Sequence, residues 1–209
     1  MDINSDILFF ENYQKYLYEN YKYTMDKLNA TTLFWHYDKN SDLRKFRETG
    51  YHNYHLHYSK HLHKERLKVT KILELGVFKG HSMLMWADYF PNAKIYGIDI
   101  DFSNKNFGVN ALELVKNNKR IQLIQLDAYS NDTVNYVKNN WGDDFDLIID
   151  DGSHHPYHQL FFILYYQHLI KPKGQLIIED VFMENLFEPD FLEYYDSSYK
   201  AFKTKRFFF

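Results

Sequence analysis

From Lys71 onward, short aliphatic runs recur, each closing on an acid and each followed by a stretch of helical spacing. Lys71–Leu75 carries Glu74 and stops at Gly76; Lys94–Ile98 closes in Asp99 and Ile121–Leu126 in Asp127. Leu147–Ile149 closes in Asp150-Asp151, and Gln175–Ile178 closes in Glu179-Asp180. Between them, Ser82–Phe90, Asn106–Asn117, Asp132–Asn140 and a segment from about Tyr157 to Ile170 read as helices, the last stopped by Lys171-Pro172-Lys173-Gly174. Strands alternating with helices of this length predict βαβ units and an α/β, Rossmann-like, doubly wound, mostly parallel sheet covered on both faces. Right-handed crossovers then bring every strand-end acid to one carboxyl edge, where ligands of open α/β sheets bind.

The chain has 209 residues, enough for one such domain with an appended helical segment. We expect residues 1–66 to form an N-terminal helical or lid segment and 67–209 the main domain. Phe9, Tyr13, Leu17 and Tyr21 share one stripe, as do Tyr54, Tyr58 and Leu62. The net charge of −3 and the lack of a basic stripe argue against a nucleic-acid surface. The absence of cysteine removes disulfides, thiolate catalysis and zinc–thiolate sites. No apolar run reaches membrane-spanning length, and the opening MDINSD lacks a basic leader, so a cytoplasmic location is expected. With 19 Tyr and 18 Phe, at least one cleft should be aromatic.

Two acidic pairs on neighbouring strand ends would repel one another unless a hard divalent cation bound through oxygen joined them. His154, three residues past Asp151, is placed to act as a general base beside such a cation. The alternative is that these acids are helix caps and solvated loop residues. At the first strand, Glu74-Leu75-Gly76-Val77-Phe78-Lys79-Gly80-His81-Ser82 forms an E-x-G-x-x-x-G loop leading into a helix. Its glycines allow backbone to approach a ligand, but Phe78 breaks the dinucleotide G-x-G-x-x-G pattern. Asp99 is placed to accept both hydroxyls of a ribose, and Asp127 to accept from an adenine amino group.

The glycine loop and strand-end acids resemble class I S-adenosylmethionine-dependent methyltransferases. More narrowly, IDDGSHH with IIED resembles the macrocin O-methyltransferase-like family of macrolide-sugar enzymes and its cephalosporin-hydroxylase-like relatives. The likeness runs from about His52 to Asp180 and includes His52-x-Tyr54-x-x-x-Tyr58. It implies Mg²⁺ bound by Asp151, Glu179 and Asp180, with His154 as base. Glu74, Gly76, Gly80, Ser82, Asp99, Asp127 and Asp150 would then form the S-adenosylmethionine end. The reaction implied is methylation of a sugar hydroxyl, on a nucleotide-activated polysaccharide precursor or a natural-product sugar. Alternatives are methylation of a non-sugar diol or catechol, and a non-catalytic cofactor-binding partner subunit. A departure is Tyr37-Asp38-Lys39, where many relatives carry Thr-Asp-Lys at another distance.

Of the remaining features, His155 and His158 are candidates to replace His154 or orient the acceptor. His52, His55, His57, His61 and His63 read as helix-surface residues, and Trp86 and Tyr89 as packing. Tyr54 and Tyr58 are open between ligand contact and packing. Beyond Asp180 we expect a loop, a short helix and a last strand in KTKRFFF, giving an abbreviated sheet edge. Its Phe207-Phe208-Phe209 end reads as a buried edge or an oligomer contact. A symmetric homo-oligomer is the expected assembly.

Overall fold

In the computed structural model, which describes residues 3–6, 8–9, 58, 60–103 and 112–179, five strands form one parallel sheet. They are β1 (Lys71–Leu75), β2 (Lys94–Asp99), β3 (Ile121–Gln125), β4 (Phe145–Asp150) and β5 (Ile170–Ile178). The connections hold α1 (His81–Tyr89), α2 (Leu112–Asn117), α3 (Asn131–Trp141) and α4 (Pro156–Tyr166). Strand order is β3-β2-β1-β4-β5, so the winding reverses between β1 and β4. That reversal opens a crevice at the carboxyl ends of these two strands.

Alternate residues of each strand supply two cores. Ile72, Ile95, Leu147 and Ile149 pack with Met83, Trp86 and Val115 of α1 and α2. Leu73, Leu75, Tyr96 and Ile148 pack with Val137, Phe162 and Tyr166 of α3 and α4. Because both faces are covered, the inner strands β1, β2 and β4 are buried over most of their length, while the outer β3 exposes Gln122 and Gln125. The helix starts are set locally. Ser130 Oγ accepts the Thr133 N–H at 3.2 Å to begin α3. Pro156 opens α4, with the His155 side chain accepting the Tyr157 N–H at 3.4 Å. Gly80 precedes α1 in a left-handed conformation, φ +81°, where a Cβ would lie 2.8 Å from Val115 Cγ2.

One boundary differs from the sequence expectation. The helical stretch ends at Tyr166, a 3-10 turn covers Gln167–Leu169, and Lys171-Pro172-Lys173-Gly174 lies inside β5 rather than before it. Phe145 pairs with Ile170, yet Leu147 pairs with Gln175, so β5 carries three extra residues against β4. Lys173 takes φ +71° at this irregularity. Among the described residues β5 pairs on one side only, which is where a strand tolerates proline and a bulge.

Of the N-terminal stripe, Phe9 is described; Tyr13, Leu17 and Tyr21 lie outside the described residues. So do residues 104–111, which include the start of the helix expected from Asn106, and everything from Asp180 on. Asp6 is fully buried and accepts from Tyr89 Oη at 2.5 Å, with His63 Nδ1 at 2.7 Å. The Phe9 ring lies 5.3 Å from that of Tyr89. Tyr89 ends α1, so this anchor sits at the amino edge, away from the strand-end acids. Tyr89 is therefore a polar partner as well as a packing residue, His63 is tied to a buried carboxylate where the sequence read a helix-surface residue, and Tyr58 packs edge-on against Trp86 at 4.9 Å.

Gly97, in the middle of β2, ties the sheet to the glycine loop. A Cβ there would lie 2.6 Å from Val77 Cγ2 and 2.7 Å from Leu123 Cδ2. Gly97→Ala should lower stability by about 1–3 kcal/mol through overpacking, read by urea denaturation. An unchanged midpoint would mean Val77 and Leu123 have room to yield.

Candidate active site

The β1–α1 loop leaves the sheet at Gly76, φ +87°, whose N–H donates to Ile98 O at 2.9 Å. A Cβ on Gly76 would lie 2.1 Å from the carbonyl oxygen of Asp151, so only glycine fits against the start of the β4–α4 loop. Asp99 holds the next turn of the glycine loop. Its Oδ2 accepts the N–H groups of Val77 at 2.8 Å and Phe78 at 2.7 Å, and its Oδ1 accepts that of Asp101 at 3.0 Å. A carboxylate has roughly four acceptor positions, and three of those of Asp99 are taken by these backbone donors.

Gly76, Asp99, Asp127, Asp151 and His154 all line one cavity of about 730 Å³ at the carboxyl edge. The structure thus brings together five of the residues singled out in the sequence. Phe78 and Ile100, 47% and 66% exposed, add apolar surface to the same cavity. Ala128, Tyr129, Ser153 and His158 complete much of its wall. His158, a candidate in the sequence to replace His154 or orient the acceptor, is a sixth such residue, whereas Tyr129 carries polar contacts that sequence spacing did not separate from packing. His155 does not line it, since its ring caps α4.

Glu74, Gly80, Ser82 and Asp150 stand behind this wall instead of in it. Both oxygens of Glu74 are taken inside the core, Oε1 by Ser82 Oγ and Oε2 by Trp86 Nε1. Burial raises the Glu74 pKa to about 7, opposed by those two hydrogen bonds. Asp150 is 2% exposed and accepts from Tyr129 Oη at 2.6 Å and from Gly152 N at 3.3 Å. Its carboxyl is likewise pushed up to about 7 by desolvation. The acids of β1 and β4 thus brace the loops that the acids of β2 and β3 border.

At the β4–β5 end, the ladder runs on past the strands. Asp150 pairs with Ile178, and the Glu179 N–H donates to Asp150 O at 2.8 Å. Asp151 and Glu179 therefore follow one another across adjacent strand ends, Glu179 buried and Asp151 half-buried. Among the described residues no three His, Cys, Asp or Glu side chains are grouped to hold a metal ion, and Asp180 lies outside them. His154 adopts φ +56°, unusual for a residue with a Cβ, and its Nδ1 is buried.

Residues 60–205 match the sequence profile of the O-methyltransferase family. The chain belongs to this family. It is 34% identical over 134 residues to mycinamicin VI 2''-O-methyltransferase of Micromonospora griseorubida, covering 60% of this chain and 30% of that enzyme. With demethylmacrocin O-methyltransferase of Streptomyces fradiae it shares 29% over 133 residues, covering 60% and 31%. The chain thus spans about a third of the length of these curated relatives. Among solved structures it resembles the MycE methyltransferase of the mycinamycin pathway, in complex with Mg and SAH. That match has a TM-score of 0.54 and 30% identity, over 68% of this chain and 38% of MycE. The Rossmann-like methyltransferase fold expected from the sequence is the one observed. No helix among the described residues is long and apolar enough to cross a membrane.

Within this family member, Glu74 offers a pH test. A carboxyl whose folded pKa lies above its unfolded value binds protons more tightly when folded, so it adds stability below about pH 4.5 that is lost as pH rises through about 7. Glu74→Gln should flatten the fall in thermal midpoint across that window relative to the parent. It should also cost about 1–3 kcal/mol, because the amide turns a donor toward Ser82 or Trp86. Parallel profiles for the two proteins would show that Glu74 does not titrate there.

Proposed function

We propose that this chain carries S-adenosylmethionine-dependent methyl transfer to a sugar hydroxyl, assisted by Mg²⁺. One observation carries the reading: Gly76, Asp99 and Asp127 share a single cavity with Asp151 and His154. The residues fit the cofactor. The cavity's volume suits a nucleoside-sized ligand, Phe78 and Ile100 offer apolar surface to a purine, and Asp99 retains one acceptor position. For a hard cation the donors this reading assigns are Asp151, which lines the cavity, and Glu179, which is buried on the neighbouring strand end, both of them carboxylates of the oxygen type such an ion takes. Relatives named as O-methyltransferases of mycinamicin VI and demethylmacrocin support a sugar acceptor.

In this reading Asp99 accepts one ribose hydroxyl while its other contacts keep the Val77–Phe78 turn closed. Asp127 accepts from the adenine amino group. Asp151 and Glu179, with Asp180, would hold the cation. When bound, the sulfonium supplies the methyl group and the cation lowers the cost of negative charge on the acceptor oxygen. His154 receives the acceptor proton, and because its Nδ1 is buried, Nε2 is the nitrogen that meets it. Methyl transfer needs its two partners aligned, so a cavity that holds both ends would supply much of the acceleration.

The test is calorimetric titration with S-adenosylhomocysteine, with and without Mg²⁺, then a methyl-transfer screen over nucleotide sugars and glycosylated acceptors. Binding with Mg²⁺-dependent turnover is expected, and failure to bind would sink the assignment. His154→Ala should lower kcat by about 10²–10⁴-fold while S-adenosylhomocysteine affinity holds within about threefold. A variant retaining full kcat would remove His154 from the proton transfer.

A further inference from the structure

The connection after β3 reaches across the cavity through one side chain. Tyr129 N–H donates to Asp127 Oδ1 at 2.9 Å, tying its backbone to the β3 end. Its hydroxyl lies in the β4–α4 loop, where it donates to Asp150 Oδ1 at 2.6 Å and accepts the Ser153 N–H at 3.1 Å. Its ring is stacked on His158, centroids 4.2 Å apart and planes 13° from parallel. His158 Nδ1 is 2.6 Å from Ser153 Oγ, which also accepts the His155 N–H at 3.2 Å. The loop has made room for the phenol: a Cβ at Gly152 would lie 2.1 Å from Tyr129 Oη, but 3.2 Å from its Cζ.

These contacts fall on either side of Asp151 and immediately before His154. The left-handed backbone of His154 persists only where its surroundings fix it. Ser153 N–H bound to Tyr129 Oη supplies such a fixture one residue upstream. Burial and the Asp150 carboxylate hold the phenol pKa well above its usual value, so the hydroxyl stays a donor at working pH.

We propose that Tyr129 is a positioning residue for methyl transfer: its hydroxyl clamps the Asp150–Ser153 turn, so that Asp151 and His154 are held in register with the cofactor end at Asp127. This rests on the methyltransferase reading above. Tyr129 touches neither reacting atom in this role. It acts through the loop that carries the cation-binding acid and the base.

The test uses the full chain as wild type, Tyr129→Phe, Gly152→Ala and the double variant. Thermal midpoints, S-adenosylhomocysteine affinity with Mg²⁺, and kcat and KM on whichever acceptor the screen yields are measured. Tyr129→Phe keeps the ring, its stack and its backbone bond to Asp127. It should hold cofactor affinity and acceptor KM within about threefold while kcat falls at least about tenfold. Gly152→Ala should depress the midpoint strongly in the wild type. In the Tyr129→Phe background, where the ring no longer carries the oxygen that meets the new Cβ, the same change should depress it much less, a non-additive pair. A Tyr129→Phe enzyme with kcat within about twofold of wild type would overturn the positioning role. Additive midpoint changes would overturn the clamp itself, and that readout needs no turnover. A wild type that shows the non-additivity but methylates nothing would sink the proposed function, and the catalytic part of this inference with it, leaving the clamp as a purely structural contact.

Discussion

Where β1 and β4 part company, the carbonyl of Asp151 lies against the α-carbon of Gly76, closer than any side chain allows. The remaining site geometry depends on that contact. It brings the β1–α1 loop and the β4–α4 loop to one point at the reversal of winding, and so merges two half-sites into a single cavity. Asp99 closes the glycine loop from one side and Tyr129 closes the DDGSH loop from the other. Each uses a side chain from one strand end to hold the backbone of a neighbouring connection.

The buried acids belong to the same construction. Glu74 and Asp150 both sit below the cavity, in desolvated surroundings that favour their neutral forms. Each is held by hydrogen bonds from a neighbouring loop or helix: Ser82 and Trp86 of α1 for Glu74, Tyr129 and Gly152 for Asp150. A buried carboxyl without such donors would be costly, and with them it fixes direction. Among the acids at the strand ends, Glu74 and Asp150 brace from below, Asp127 and Asp151 border the cavity, and Asp99 does both.

This division was not legible in the sequence, although the sheet was. Strand and helix alternation follows from the aliphatic runs and their terminal acids, because parallel strands covered on both faces leave that pattern whatever the loops do. Gly76, Asp99, Asp127, Asp151 and His154 could be placed at the carboxyl edge by the same logic. Spacing alone gives no sign that Glu74 turns inward to Trp86, since the face of β1 it occupies is known only once α1 has packed. Tyr129 was invisible for a related reason: its partners Asp150 and Ser153 lie more than twenty positions away, in another connection. Pro172 misled in the opposite sense. It reads as a break before a strand, yet a strand that pairs on one side only among the described residues can carry it as a bulge.

That bulge separates two ends of one strand. The three surplus residues of β5 are absorbed between Ile170 and Gln175, and from Leu147–Gln175 to Asp150–Ile178 the pairing runs without a further slip. The spacing of Glu179 from Asp151 is therefore set by the last four rungs of the ladder alone. Changes in length at the amino end of β5 can be taken up where they arise, and Glu179 at its other end is insulated from them.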